Sequence, residues 1–109
     1  MDWNQARIQA DFRDAMVRLE AELKDILEQK IPHNPFFKLF YDEKRGALAA
    51  YRILEQEVVA ESRQAFLQRV QELLEGTGIE QPADLNDPKR FWYGWTKTLQ
   101  ELVRKYTEV

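Results

Sequence analysis

Apolar residues near the start of the chain recur at helical intervals. From Asp2 to about Lys30, the residues Ile8, Phe12, Met16, Leu19, Leu23 and Ile26 follow one another at steps of four, four, three, four and three. At about 100° per residue these steps gather the side chains into one stripe, so the pattern predicts an amphipathic helix over about 2–30. Ile31-Pro32-His33-Asn34-Pro35 ends it, because proline disfavours helical geometry in the residue before it. Asn34 followed by Pro35 then reads as a cap and first helical position of a new helix.

That second helix opens with Phe36-Phe37-Lys38-Leu39-Phe40-Tyr41, too many apolar residues for one stripe, and is expected to be short, about 35–45. Gly46 favours a break or kink near Lys44 to Gly46, with Asp42 as an alternative cap of a new start; the other reading is one long helix that tolerates the glycine at about 1 kcal/mol, so the continuity of the second and third helices stays open. A long third helix is predicted over about 47–75, closed by Gly76-Thr77-Gly78. The stretch from Ile79 to Asn86, with Pro82 inside it, reads as a loop carrying at most one helical turn at Pro82 to Leu85. Asp87-Pro88 repeats the signature of a cap followed by proline, and a fourth helix is predicted over about 88–107. The expected fold is one all-α domain over residues 1–109, a small bundle of three long helices and one short aromatic one.

Two of these helices carry more than a core stripe. On the predicted third helix Leu48, Tyr51, Val58, Val59, Phe66, Val70 and Leu73 form one apolar line. Ile53, Ala60, Leu67 and Leu74 form a second at seven-residue spacing. Two apolar faces need two partners. Either the helix is central, packed on both sides by the first and fourth, or the flank of Ile53, Ala60, Leu67 and Leu74 meets another subunit. Trp3 and Val17, off the stripe of the first helix, are further candidates for such an interface. Glu55, Ser62 and Arg69 border the main line, either as a solvated boundary or as a polar register device.

On the fourth helix Phe91, Trp92, Trp95, Leu99, Leu102, Val103 and Tyr106 fall within an arc of about 100°, which predicts core. The opposite side holds Arg90, Tyr93, Lys97 and Arg104, with Gly94 beside them expected to bare the backbone. Cations flanking one aromatic ring can hold phosphates and stack a base or a guanidinium group. From Pro88 to Thr107 five basic residues stand against one acid, a local charge of +4 in a chain of net charge -3.

Composition narrows the function classes. With 44% hydrophobic and 32% charged residues, four glycines and four prolines, the chain is expected to fold and not to be disordered. The absence of cysteine excludes disulfides, thiolate metal sites and cysteine nucleophiles, and fits a reducing, cytoplasmic setting. The N-terminus shows no basic-then-apolar signal pattern and the apolar runs are short, so neither secretion nor membrane insertion is expected. His33, the single histidine, lies between two prolines, and Ser62, the single serine, lacks a nucleophile elbow. Gly76 and Gly78 are followed by no phosphate-binding lysine. Acid pairs such as Asp42-Glu43 and Glu55-Glu57 read as solvated helix faces. No catalytic residue, metal or cofactor is therefore expected. The sequence points to a non-enzymatic helical module for protein interaction or self-assembly, an accessory subunit of a larger complex; the alternative is a helical subunit that contacts RNA or DNA through Arg90, Tyr93, Lys97 and Arg104, and a third, weaker class is an enzyme with a carboxylate site.

Overall fold

A computed structural model of the chain describes residues 3–57, 62–76 and 80–107. It is an all-α fold of three long helices and one short one: α1 (Gln5–Asp25), α2 (Phe37–Glu57), α3 (Arg63–Leu74) and α4 (Pro88–Thr107). Among the described residues none forms a strand, and no helix is long and apolar enough to cross a membrane.

The helix starts follow the capping chemistry. Asn4 accepts from the Arg7 backbone N–H through its side chain at 3.1 Å, which opens α1. After Asp25 the chain widens into a π-type turn over Ile26–Lys30, and Ile31 to Asn34 then turns it back towards α2. Asn34 Oδ1 accepts from the Phe36 N–H at 3.0 Å, as its place before Pro35 predicts. Gly76 ends the segment after α3 with φ +97°, the left-handed geometry that glycine adopts at least cost. Asp87 Oδ1 accepts from the Lys89 N–H at 3.0 Å at the start of α4.

The boundary between the second and third helices differs from expectation. No break occurs at Gly46: α2 runs through it, so the short aromatic helix over 35–45 is the first half of a long one. The single helix predicted over 47–75 is instead the second half of α2 and a separate α3, whose start is capped by Ser62, with Oγ accepting from the Ala65 N–H at 3.1 Å. Ser62 is therefore a cap and not a helix-interior residue. Val58, Val59, Ala60, Thr77 and Gly78 lie outside the described residues.

Gly46 is needed for packing. A Cβ built on it would stand 1.9 Å from the Phe91 carbonyl oxygen of α4, and one built on Gly94 would stand 1.9 Å from the Glu43 carbonyl oxygen of α2. The two glycines let the backbones of α2 and α4 meet directly. Gly94 is accordingly buried in this crossing and does not bare backbone beside the basic residues, contrary to the sequence expectation.

Around the crossing, α2 is the central helix, packed against both α1 and α4, while α3 closes the side of α4. The main core joins Ile8 and Phe12 of α1, Ala50 and Leu54 of α2, Phe66, Val70 and Leu73 of α3, and Trp95, Leu99, Leu102 and Tyr106 of α4. A smaller cluster of Leu19, Leu23 and Leu48 fills the far end of the contact between α1 and α2. Rings interlock in the main core: Phe66 lies 5.9 Å from Phe12 and 5.3 Å from both Trp3 and Tyr106, centroid to centroid. Trp3 thus packs against the core, whereas Val17 remains exposed.

Tyr106 is buried, and burial pushes its phenol up to about 12, with Asp11 adding to the effect and Arg7 opposing it. Unfolded tyrosine loses its proton near pH 10. Below that value both states hold the proton and the contribution to stability is complete. Between about 10 and 12 the unfolded chain releases a proton that the folded chain retains, so stability is expected to fall as pH rises. Denaturant titrations across this range should show the fall in the parent chain and a flatter profile in Tyr106→Phe; coincident profiles would refute the assignment.

Candidate functional site

The predicted basic row lies on the outer face of α4, and the fold adds rings from another helix to it. Residues Phe91, Trp95, Leu99, Leu102 and Tyr106 are buried, so the opposite side of α4 faces solvent. There Tyr93 is 48% exposed, a large ring left open on a helix that buries Phe91, Trp95 and Tyr106. The Arg90 guanidinium and Lys97 Nζ each lie 5.9 Å from its centroid.

The row continues across the helix crossing. Arg90 also stands 5.8 Å from the Phe40 ring of α2, and Phe40 meets Phe36 at 5.9 Å and Phe37 at 5.7 Å. Phe36, at the turn into α2, is 57% exposed. The result is an unbroken surface ladder of Phe36, Phe40, Arg90, Tyr93 and Lys97, in which every neighbour is a ring–ring or cation–ring contact. The close approach of α2 and α4 lies beside the row: Gly94 directly follows Tyr93 and stands one turn after Arg90.

Electrostatics sort the cations. Arg90 Nη1 also lies 3.5 Å from Glu43 Oε1, so its charge is shared with α2. Lys97 is exposed over Tyr93 and pairs with no acid among the described residues. Arg104 is exposed about two turns beyond Lys97 and makes no contact with the ladder, so the structure brings together three of the four predicted basic-row residues and leaves the fourth apart. Nearby, the Arg45 guanidinium binds Asp84 at 3.0 Å and holds that exposed carboxyl below the usual carboxylate range.

The apolar flank does not form one exposed line. Ile53 lies on α2 and Leu67 and Leu74 lie on α3; all three are half-buried against the main core, and Ala60 falls outside the described residues. The heptad spacing that joined them assumed one continuous helix. Glu55, on the same border, pairs with Arg13 at 3.5 Å, and Arg69 pairs with Glu72 at 3.2 Å. These are boundary positions.

One residue with a structural role beneath the ladder escaped the sequence reading. Asp42, expected on a solvated face, is fully buried. Its Oδ2 accepts from the Asp87 N–H at 2.6 Å and its Oδ1 from Asn86 Nδ2 at 3.4 Å, which fixes the residues that start α4. A signal was present: Asp42, Gly46, Ala50 and Leu54 stand four apart and all are buried, so the acid continues the line along which α2 is packed.

His33 is exposed on its turn, and among the described residues no group of three or more histidines, cysteines, aspartates or glutamates is placed to hold a metal ion. No family model matches the chain, and neither a curated protein nor a solved structure matches it.

Proposed function

We propose that this chain is a non-enzymatic helical interaction module, an accessory subunit that docks a protein partner through the ladder of Phe36, Phe40, Arg90, Tyr93 and Lys97. The observation that carries the reading is the exposure of Phe36 and Tyr93, 57% and 48%, in a row joined through Phe40 and the Arg90 guanidinium, which lies within about 6 Å of the Phe40 and Tyr93 rings. Aromatic rings and arginine are the residues on which interface energy concentrates, because a rigid ring loses little entropy when covered and a guanidinium stacks and donates at once. The absence of cysteine supports a reducing, cytoplasmic setting.

Because these side chains lie outside the core, Phe36→Ser with Tyr93→Ser is expected to leave the denaturation midpoint nearly unchanged and to abolish association. The check has two parts. Light scattering behind a sizing column distinguishes a single chain of 13.0 kDa from a homo-oligomer. Affinity capture from cells then compares the parent chain with the double variant. A monomer that retains the same proteins with and without the two rings would sink the proposal.

A second reading rests on α4 alone. Of its five cations only Arg90 is paired with an acid among the described residues, and Tyr93 stands half exposed beside Arg90 and Lys97, an arrangement that suits a single strand of RNA or DNA. Binding of a fluorescent oligonucleotide is then expected to weaken steeply with salt and to be lost in Arg90→Glu with Lys97→Glu. Absence of binding at low salt removes this reading.

A further inference from the structure

The outer side of α4 leaves its charges unpaired in a chain that pairs many of them elsewhere. At about 100° per residue Lys89, Tyr93, Lys97, Gln100, Arg104 and Thr107 fall within an arc of about 80°, and all six are exposed. From Lys89 to Arg104 this stripe runs about 22 Å, at about 1.5 Å per residue. It holds three cations, one large ring and no acid. Glu101, the single acid of α4, lies off the stripe and acts on the Tyr51 phenol of α2.

Other faces match their cations: Arg13 with Glu55, Lys44 with Glu22, Arg45 with Asp84 and Arg52 with Glu20. Acids outnumber cations over the whole chain, 19 to 16. Even so, Lys89, Lys97 and Arg104 join no ion pair among the described residues. Beside them lies apolar surface, since Tyr93 continues through Arg90 into Phe40 and Phe36, and Glu43, next to that row, already binds Arg90. Exposed ion pairs contribute little by themselves, so on such a surface the rings supply the affinity and the charges select the partner.

We propose that the partner docking on the ladder is an acidic amphipathic peptide segment, with carboxylates opposite Lys89, Lys97 and Arg104 and an apolar side chain covering the exposed rings of Tyr93 and Phe36. This rests on the protein-docking reading above and adds to it the chemistry of the partner and two residues, Lys89 and Arg104, that lie beyond the ladder. The three cations stand eight and seven residues apart. A partner helix of about fifteen residues has the same length, and acids seven or eight apart on it share one face, because two turns return a helix to that face. The spacing favours such a segment over nucleic acid: the cations lie about 10–12 Å apart along α4, whereas each strand of a duplex carries a phosphate every 3.4 Å or so, about three times as densely.

The test selects random displayed peptides of about fifteen residues on the full chain and measures the recovered sequences by fluorescence anisotropy. Recovered peptides are expected to be rich in Asp and Glu around at least one large apolar residue, and to bind more weakly as salt is raised. Lys97→Glu with Arg104→Glu should weaken them about tenfold or more at an unchanged melting temperature, because neither side chain holds another charged group. Peptides whose acids are replaced by lysine should in turn prefer the reversed chain to the parent, which a merely structural effect of the two substitutions would not produce. Peptides without an acidic bias that are lost in Phe36→Ser with Tyr93→Ser would overturn the proposal and leave the docking reading intact. Acidic peptides that bind that double variant as well as the parent would overturn both. The proposal also fails if no peptide is recovered, if a single strand of DNA displaces the peptides at equal concentration, or if the parent chain forms a dimer that Lys97→Glu with Arg104→Glu dissociates, since the acids would then belong to a second copy.

Discussion

Gly94→Ala is expected to destabilise the fold by about 3 kcal/mol, the upper part of the range for overpacking in a tight interior. Two effects of opposite sign compete. On an exposed helix the same exchange would stabilise by about 1 kcal/mol, because alanine restricts the unfolded chain more than glycine does. Here the new Cβ would sit 1.9 Å from the Glu43 carbonyl oxygen and 2.8 Å from its carbonyl carbon. Both are backbone atoms of α2, so no side-chain rotation relieves the overlap and one helix must move away from the other. That movement loosens Trp95 and Leu99 of α4 from Ala50 and Leu54 of α2, which share the main core. The steric effect therefore exceeds the gain in propensity. Gly46→Ala meets the Phe91 carbonyl oxygen at 1.9 Å and should behave alike. The double variant should cost less than the two single costs combined, because helices already parted by one methyl group have room for the second. Denaturation midpoints at unchanged slope provide the measurement. A stabilised Gly94→Ala chain would refute the close crossing.

The same glycines mark where the sequence stops being legible. α1 could be read because its periodicity and its Pro-bracketed end are local, and α4 because an aromatic stripe opposite Arg90, Tyr93 and Lys97 lies on one helix. Gly46 was misread because a glycine in a helical pattern carries two local meanings, weak propensity and helix end. Its actual cause is the backbone at Phe91, far along the chain. The division between α2 and α3 was hidden for a related reason: apolar residues from Leu48 to Leu74 keep helical spacing on both sides of it, and the lone Ser62 cap was the only local mark. Of the ladder, the half on α4 was visible and the half on α2 was not, since Phe36 and Phe40 reach Arg90 only through the crossing.

Asp42→Ala is expected to cost about 2–3 kcal/mol and to act first on the start of α4, although the residue belongs to α2. The carboxylate is fully buried, and burial of a charged group is tolerated only when donors replace its water. Two of them are present, the Asp87 N–H at 2.6 Å and Asn86 Nδ2 at 3.4 Å. Adjacent to them, the backbone N–H groups at the N-terminus of α4 favour a negative charge. Asp87 in turn caps α4, accepting from Lys89 through its side chain and from Arg90 at 3.0 Å through its carbonyl. Removing the carboxylate leaves the Asp87 N–H without its acceptor and frees the residue that caps the helix. Arg90 and Tyr93 lie in that first turn and a half, so loss of Asp42 should loosen the ladder even where the core persists. Asp42→Asn separates charge from shape. Its amide oxygen can keep the bond from Asp87, but its NH2 would face the Asn86 amide donor, so a cost between that of alanine and none is expected. Amide hydrogen exchange distinguishes the mechanism from general weakening: protection at Asp87 and Arg90 should fall before that at Leu54 and Leu99. An Asp42→Ala chain within 0.5 kcal/mol of the parent, or one that loses protection evenly through both helices, would show that the buried carboxylate does not hold the start of α4.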